Sequence, residues 1–435
     1  MLKPTARLVA LAVTALAYAT SASAQDKDEV IAIRAGRLVD VDKGEVRRDQ
    51  VVLVRGERIE AVQPGTAKLP SGARVIDLSK YTVLPGLIDC HSHLIGDASS
   101  SDVLQPLERS EAQEAFSGVK NARATLMAGF TTVRDVGTYR AFVDVALRDA
   151  INEGTVIGPR MRVAGAYVTV STGAGELVGA APDVTIPFSY RFGVANSVDE
   201  VRTRVRAILN GGADFVKILA TGAVFTRGTK PGVSEYTEEQ IHAAVEQAAE
   251  YGTYVAAHAH GAEGIKRAIR AGVRSIEHGS LMDDESIALM KEKGTWLVAD
   301  IYNGDYTDSV GREQKWPADI MRKNAETTEE QRAGFRKAVA AGVKLAYGTD
   351  SGIYPHGLNA RQLPYMVKYG MTPMQAIQSA TISAAQLMQW EDQVGSIAPG
   401  KYADIVAVGG DALTDLRSFE KVGFVMKGGV VYKQP

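Results

Sequence analysis

A single cysteine, Cys90, stands in 435 residues. No intrachain disulfide is available, so stability has to come from a large apolar core. Long apolar runs are scarce as well. The longest, residues 8–19, falls short of the ~20 residues a membrane-spanning helix needs. Lys3 and Arg7 flank it on one side and Ala22-Ser23-Ala24 follows it, which predicts a signal peptide over 1–24, cleaved near Gln25, and a periplasmic or secreted product. An excess of one charge is also missing: 49 basic residues against 51 acidic leave a formal net charge of -2. That removes the electrostatic case for nucleic acid or an anionic membrane as partner and leaves a small-molecule substrate. Ser171-Thr172-Gly173-Ala174-Gly175 is not a phosphate loop, because no Gly-Lys-Ser/Thr follows it.

Short apolar runs punctuated by turn residues are present at both ends. Residues 30–33, 37–41, 50–55, 58–63 and 74–77, separated by Gly36, Gly56, Pro64-Gly65 and Pro70-Ser71-Gly72, predict a small antiparallel β unit. Residues 405–408, 423–426 and 430–433 supply matching pieces, so the two ends are expected to pair into one β-sandwich. Between them apolar runs alternate with amphipathic stretches, the pattern of repeated βα units on a parallel sheet. Eight candidate strands, at residues 82–91, 131–135, 160–168, 215–220, 254–258, 275–278, 296–301 and 345–349, are the number that closes a barrel. Helices are expected to end at Gly129, Gly252, Gly272, Gly294 and Gly342, the last beginning at Thr327. The predicted fold class is α/β: a TIM (β/α)8 barrel over 83–392, with a small β-sandwich domain built from 25–82 and 393–435.

The active face of such a barrel lies at the C-terminal ends of its strands. His91 and His93 close the first strand and, at i and i+2, project from one face. Lys217 lies on the fourth strand, His258 on the fifth, His278 on the sixth, and Asp350 just beyond the eighth. Taken singly, Lys217 reads equally as a lysine paired to a carboxylate, His278 as a core histidine bonded to backbone, and Asp350 as a helix cap. Together, in order on successive strand ends, they read as a metal site.

The set resembles the amidohydrolase superfamily in its binuclear form. The resemblance implies that His91 and His93 bind the more buried metal, and that Lys217, in Phe215-Val216-Lys217-Ile218-Leu219-Ala220, is carbamylated and bridges two ions. It further implies that His258 and His278 bind the more exposed metal, and that Asp350, in Gly348-Thr349-Asp350-Ser351-Gly352, contacts the buried metal and moves a proton. The cofactors implied are two divalent ions, Zn2+ first among them, generating a metal-bridged hydroxide. Ala257-His258-Ala259-His260-Gly261, Ser275-Ile276-Glu277-His278-Gly279 and His356-Gly357-Leu358-Asn359 look like the branch of Xaa-Pro dipeptidases, imidazolonepropionase-like proteins and ochratoxin-degrading amidohydrolases.

That branch implies hydrolysis of a small amide with a free C-terminal carboxylate: a dipeptide, an N-acyl amino acid, or ochratoxin A releasing phenylalanine. His260 is a candidate for oxyanion stabilisation or substrate contact, with a supporting structural role as its alternative. Arg227 and Tyr236, in the loop after the fourth strand, and His356 are candidates for holding substrate. Family members assemble, which implies a homo-oligomer. Two other readings remain: a mononuclear deaminase of the same superfamily acting on a heterocycle, which does not need Lys217, and a non-catalytic exported binding protein, which does not need the full ligand set.

Overall fold

The computed structural model describes residues 29–96, 102, 104–181 and 183–435; the signal peptide expected at 1–24 lies outside them. Four strands come first: β1 (Val30–Asp40), β2 (Glu45–Arg55), β3 (Arg58–Pro64) and β4 (Arg74–Pro85). The sequence predicts two strands split at Gly36 where β1 runs unbroken. Gly36 is a point of close approach rather than a turn, since a Cβ there would lie 1.8 Å from the Ser79 carbonyl oxygen. The β1–β4 register slips at the same place, as a bulge does.

The central strands are β5 (Leu87–Ser92), β6 (Phe130–Asp135), β7 (Arg160–Val163), β8 (Tyr167–Val168), β9 (Val216–Leu219), β10 (Val255–Gly261), β11 (Ser275–Leu281) and β12 (Trp296–Val298). The helices between and after them are α1 (Glu111–Met127), α2 (Val143–Asn152), α3 (Val198–Asn210), α4 (Glu238–Glu250), α5 (Ala262–Ala271), α6 (Asp284–Lys293), α7 (Asn303–Gln314), α8 (Ala318–Ala341), α9 (Gln362–Lys368), α10 (Pro373–Ser379) and α11 (Ile382–Leu387). Ser110 and Thr237 build capping boxes at the starts of α1 and α4, each satisfying otherwise unpaired N–H groups. Helix α8 starts well before the predicted Thr327. The hydroxyls of Thr327 and Thr328 bond back to the carbonyls of Lys323 and Asn324, which is how threonine sits inside a helix rather than at its start.

Every pairing among β5–β12 is parallel. The strands follow the order of a TIM-type barrel, yet they form one sheet of three, β5-β6-β7, and one of five, β12-β11-β10-β9-β8. The expected closed ring of eight is therefore corrected in two places. The predicted third strand breaks at Gly165, which takes φ +71; β7 pairs with β6 and β8 with β9. The predicted eighth strand forms only the isolated bridge Leu297–Leu345, with a second, Ser92–Ser351, just beyond its end. It is still held from both sides, because Ala346 N–H donates to Leu297 at 3.1 Å and Cys90 N–H donates to Tyr347 at 2.8 Å.

The chain closes with β13 (Ile405–Gly409), β14 (Phe424–Lys427) and β15 (Val430–Lys433). Both ends join one seven-stranded sheet, β15-β14-β13-β4-β1-β2-β3, with Leu84 opposite Val406. The two ends thus pair with each other as expected, in a single sheet. Along β13, Ile405 and Ala407 cluster with Ile31, Ile33 and Phe424, whereas Val406 and Val408 join the main core with Leu84 and Phe130. Two-residue alternation thus gives the sheet one face of its own and one face shared with the central body.

Candidate metal centre

Strand β5 carries His91 and ends one residue before His93, and their Nε2 atoms lie 3.5 and 3.3 Å from the same Asp350 oxygen. Asp350 reaches that point from a left-handed backbone, φ +57, a conformation rare for a residue with a side chain and concentrated at functional sites. Its N–H donates to the His91 carbonyl at 2.7 Å, which pins the turn. Its other oxygen accepts from Asn303 Nδ2 at 3.0 Å. Burial opposes ionisation of this carboxyl, but the hydrogen bonds with His91 and His93 outweigh it and hold it well below the usual carboxylate range.

A second group faces the first. Alternation along β10 brings His258 and His260 to one side, with ring centroids 4.6 Å apart, and His278 lies 4.6 Å from His258. His278 also has a left-handed backbone, φ +69. His258, His260 and His278 form one set of donors within 4.8 Å of one another, His91, His93 and Asp350 another, and His278, Asp300 and Asp350 a third that links them.

Each imidazole has one nitrogen committed. His91 Nδ1 faces Glu277 at 2.9 Å, His93 Nδ1 the Gly137 carbonyl at 2.7 Å, His260 Nδ1 the Ser280 hydroxyl at 2.8 Å, and His278 Nδ1 Asp300 at 3.0 Å. Their Nε2 atoms are thereby left for the cleft. His258 is reversed, with Nε2 3.3 Å from the Gly222 carbonyl, so Nδ1 is its free donor. Imidazoles held in this way are what a metal site requires.

Lys217 enters the same cleft from β9 and is only 2% exposed. Burial pushes its ammonium down to about 8, so a neutral amine is accessible near neutral pH. Burial likewise lowers His260 to about 3 and takes His258 well below its ordinary value, leaving both neutral and ready to ligate. The donors are imidazole and carboxylate with no thiolate, since Cys90 is buried against the Ala384 carbonyl. That set fits divalent ions of the zinc type. The cleft has a cavity volume of about 120 Å³, and its lining includes Tyr139, Tyr167, Phe225 and Ile353 together with Asn303 and Asn324.

Residues 82–432 match the amidohydrolase family. The chain belongs to that family. It is 33% identical over 440 residues to an ochratoxinase of Aspergillus niger, covering 94% of this chain and 88% of that protein. A solved Xaa-Pro dipeptidase with methionine in its active site superposes with a TM-score of 0.87 at 38% identity, over 93% of this chain and 100% of that one. The crystal structure of A. niger ochratoxinase superposes with a TM-score of 0.83 at 29% identity, over 94% and 97%.

In this amidohydrolase the seven residues His91, His93, Lys217, His258, His260, His278 and Asp350 line one cleft. Three residues expected to meet substrate are placed elsewhere. Arg227 is exposed and lies outside the cleft lining. Tyr236 is buried beneath its loop, with its hydroxyl donating to the Ala195 carbonyl at 2.8 Å. His356 packs between Thr125 Oγ1 at 3.1 Å and the His93 carbonyl at 3.0 Å. Among the described residues Lys217 is the one lysine or arginine in the lining. The amidohydrolase cleft also contains Asp300, which the sequence reading passes over although it stands near the end of the predicted seventh strand. Tyr139 comes from a loop and Asn303 from the start of α7, where no periodic signal marks them, and Tyr167 stands on β8 within the predicted third strand.

Proposed function

We propose that this amidohydrolase cleaves a small amide using two divalent ions, zinc by preference, held by His91, His93 and Asp350 on one side and by His258 and His278 on the other, with His260 alongside. The observation that carries the reading is the linking of both donor groups through His278, Asp300 and Asp350 in a single cleft that Lys217 also lines. Bound ions of this kind polarise an amide carbonyl and acidify water. Lys217 in its neutral form takes up carbon dioxide, forming an N–C bond and releasing a proton, and the resulting carbamate offers two oxygens where an ammonium offers no lone pair.

Asp350 accepts the proton of the attacking water and returns it to the departing amine, acting first as base and then as acid. Asn303 fixes the carboxylate for that exchange. His260, held by Ser280, faces the carbonyl oxygen as negative charge develops there. Tyr139, Tyr167 and Phe225 provide surface for an aromatic or apolar substrate group. The substrate class is a dipeptide, an N-acyl amino acid or ochratoxin A; the likeness to an ochratoxinase and to an Xaa-Pro dipeptidase supports that range.

The test is a screen of dipeptides, N-acyl amino acids and ochratoxin A with zinc-loaded protein, following released amino acid alongside metal content. Amino-acid release with two ions per chain is expected. One ion per chain with ammonia released from heterocycles, and no amide cleavage, would overturn the reading in favour of a deaminase.

A further inference from the structure

Glu277 precedes a candidate ligand, His278, but does not line the cleft. It is fully buried inside the ring of strands, and so is Arg134 from β6. Three side chains converge on its carboxylate: Arg134 Nη2 at 2.7 Å, the Ser275 hydroxyl at 2.5 Å, and His91 Nδ1 at 2.9 Å. Arg134 is itself anchored, with Nε donating to the Cys90 carbonyl at 2.6 Å and Nη1 to Ser275 Oγ at 3.1 Å. The pair therefore ties β5, β6 and β11 together directly beneath His91.

Stability alone is a weak reason for such a pair. Two charges withdrawn from water recover through their attraction little more than they lose, and apolar residues of the same shape usually serve a core as well. What an apolar pair cannot do is accept the His91 Nδ1–H. A carboxylate at that position keeps the proton on Nδ1, leaves the Nε2 lone pair facing Asp350, and stops the ring from turning. Asp300 stands in the same relation to His278 but also lines the cleft, where it has ligand geometry of its own. The hydrogen bond that links Glu277 to a cleft side chain is the one with His91.

We propose that Glu277, neutralised by Arg134, is the positioning residue for His91, setting its tautomer and its affinity for the metal held with His93 and Asp350. This rests on reading His91 as a ligand, as set out under Proposed function.

The test uses zinc alone as probe, titrated against a competing chelator into metal-free wild-type protein, Glu277→Gln, Ser275→Ala and the double variant R134M/E277M. Glutamine keeps the size of the side chain, and with its one oxygen retained by Arg134 and Ser275 it presents an N–H to His91 where an acceptor is needed. The double variant removes both charges together, so its folding is not burdened by an unpaired buried ion. Wild-type protein is expected to bind two zinc ions. Glu277→Gln and the double variant are expected to keep one site unchanged and to weaken the other by about 10- to 100-fold. Ser275→Ala, which leaves the His91 contact intact, is expected to keep both affinities while losing thermal stability. Two wild-type zinc affinities in folded Glu277→Gln or in the double variant would overturn the assignment and leave the metal reading standing. Wild-type protein that binds no zinc would overturn both.

Discussion

The Asp350 carboxylate lies 3.3 Å from His93 Nε2 and, through its second oxygen, 3.0 Å from Asn303 Nδ2. One oxygen thus faces the imidazoles of His91 and His93 while the other is held by Asn303 at the cleft wall. Asp350→Asn keeps the shape but cannot accept the proton of the attacking water. The expected result is a fall in kcat of about 10²- to 10⁴-fold with KM changed far less, measured by steady-state hydrolysis at saturating zinc. A variant that retains wild-type kcat would remove Asp350 from the proton path.

Lys217 owes its behaviour to burial, which brings the ammonium to about 8. Carbon dioxide reacts with the neutral amine only, so reconstitution of metal-free protein is expected to depend on it. Zinc added in carbon-dioxide-free buffer should restore activity slowly and incompletely, and bicarbonate should complete it. Lys217→Met should bind less zinc and fail to respond to bicarbonate. Equal recovery with and without bicarbonate would exclude the carbamate.

The candidate donor series is legible in the sequence because parallel strands in this order bring their C-terminal ends together whatever the loops do. His91, His93, Lys217, His258 and His278 needed only alternation and strand order to be placed. Asp300 obeys the same rule and is overlooked only because it sits among apolar neighbours, in Ala299-Asp300-Ile301. Glu277 is a different matter: its partner Arg134 is 143 residues away, and nothing local distinguishes a buried glutamate from a solvated one. The loop residues fail for a third reason. Tyr236 and His356 lie in segments without periodicity, so their direction is set by tertiary contacts, with the Ala195 carbonyl in one case and the His93 carbonyl in the other. The same limit explains part of the broken ring of strands, since a left-handed Gly165 ends a ladder that the apolar pattern alone would extend.

Gly348 shows how tightly backbone and site are joined. A Cβ there would lie 2.2 Å from Val298 Cγ1 and 2.7 Å from the His91 Cβ. Gly348→Ala is expected to destabilise the fold by roughly 1–3 kcal/mol, the usual range for overpacking a filled core, and to weaken zinc binding because His91 has to move. Thermal unfolding with and without zinc measures both effects. Unchanged zinc affinity in the alanine variant would show that Val298 alone absorbs the strain.

Glu235 joins two loops that border the cleft. Its carboxylate accepts the Ala174 N–H at 2.9 Å, while Thr226 Oγ1 donates to the Ala174 carbonyl at 2.7 Å; Ala174 and Thr226 both line the cleft. Burial pushes the Glu235 carboxyl up to about 7, only partly offset by the Ala174 hydrogen bond, against about 4.3 in an unfolded chain. Between those values the folded chain holds a proton that the unfolded chain has lost, so this residue's contribution to stability falls as pH rises through the window and levels off above about 7. Glu235→Gln keeps an oxygen for the Ala174 N–H and has nothing to titrate. Relative to wild type, the variant is expected to gain about 2 kcal/mol between pH 5 and pH 8, a figure reduced from the full shift to allow for partial exposure. Urea denaturation of both proteins across that range isolates the effect, because every other titrating group is shared and cancels in the difference. A difference that stays flat with pH would mean that Glu235 is already ionised at pH 5, and the two loops would then be joined by a permanent charge.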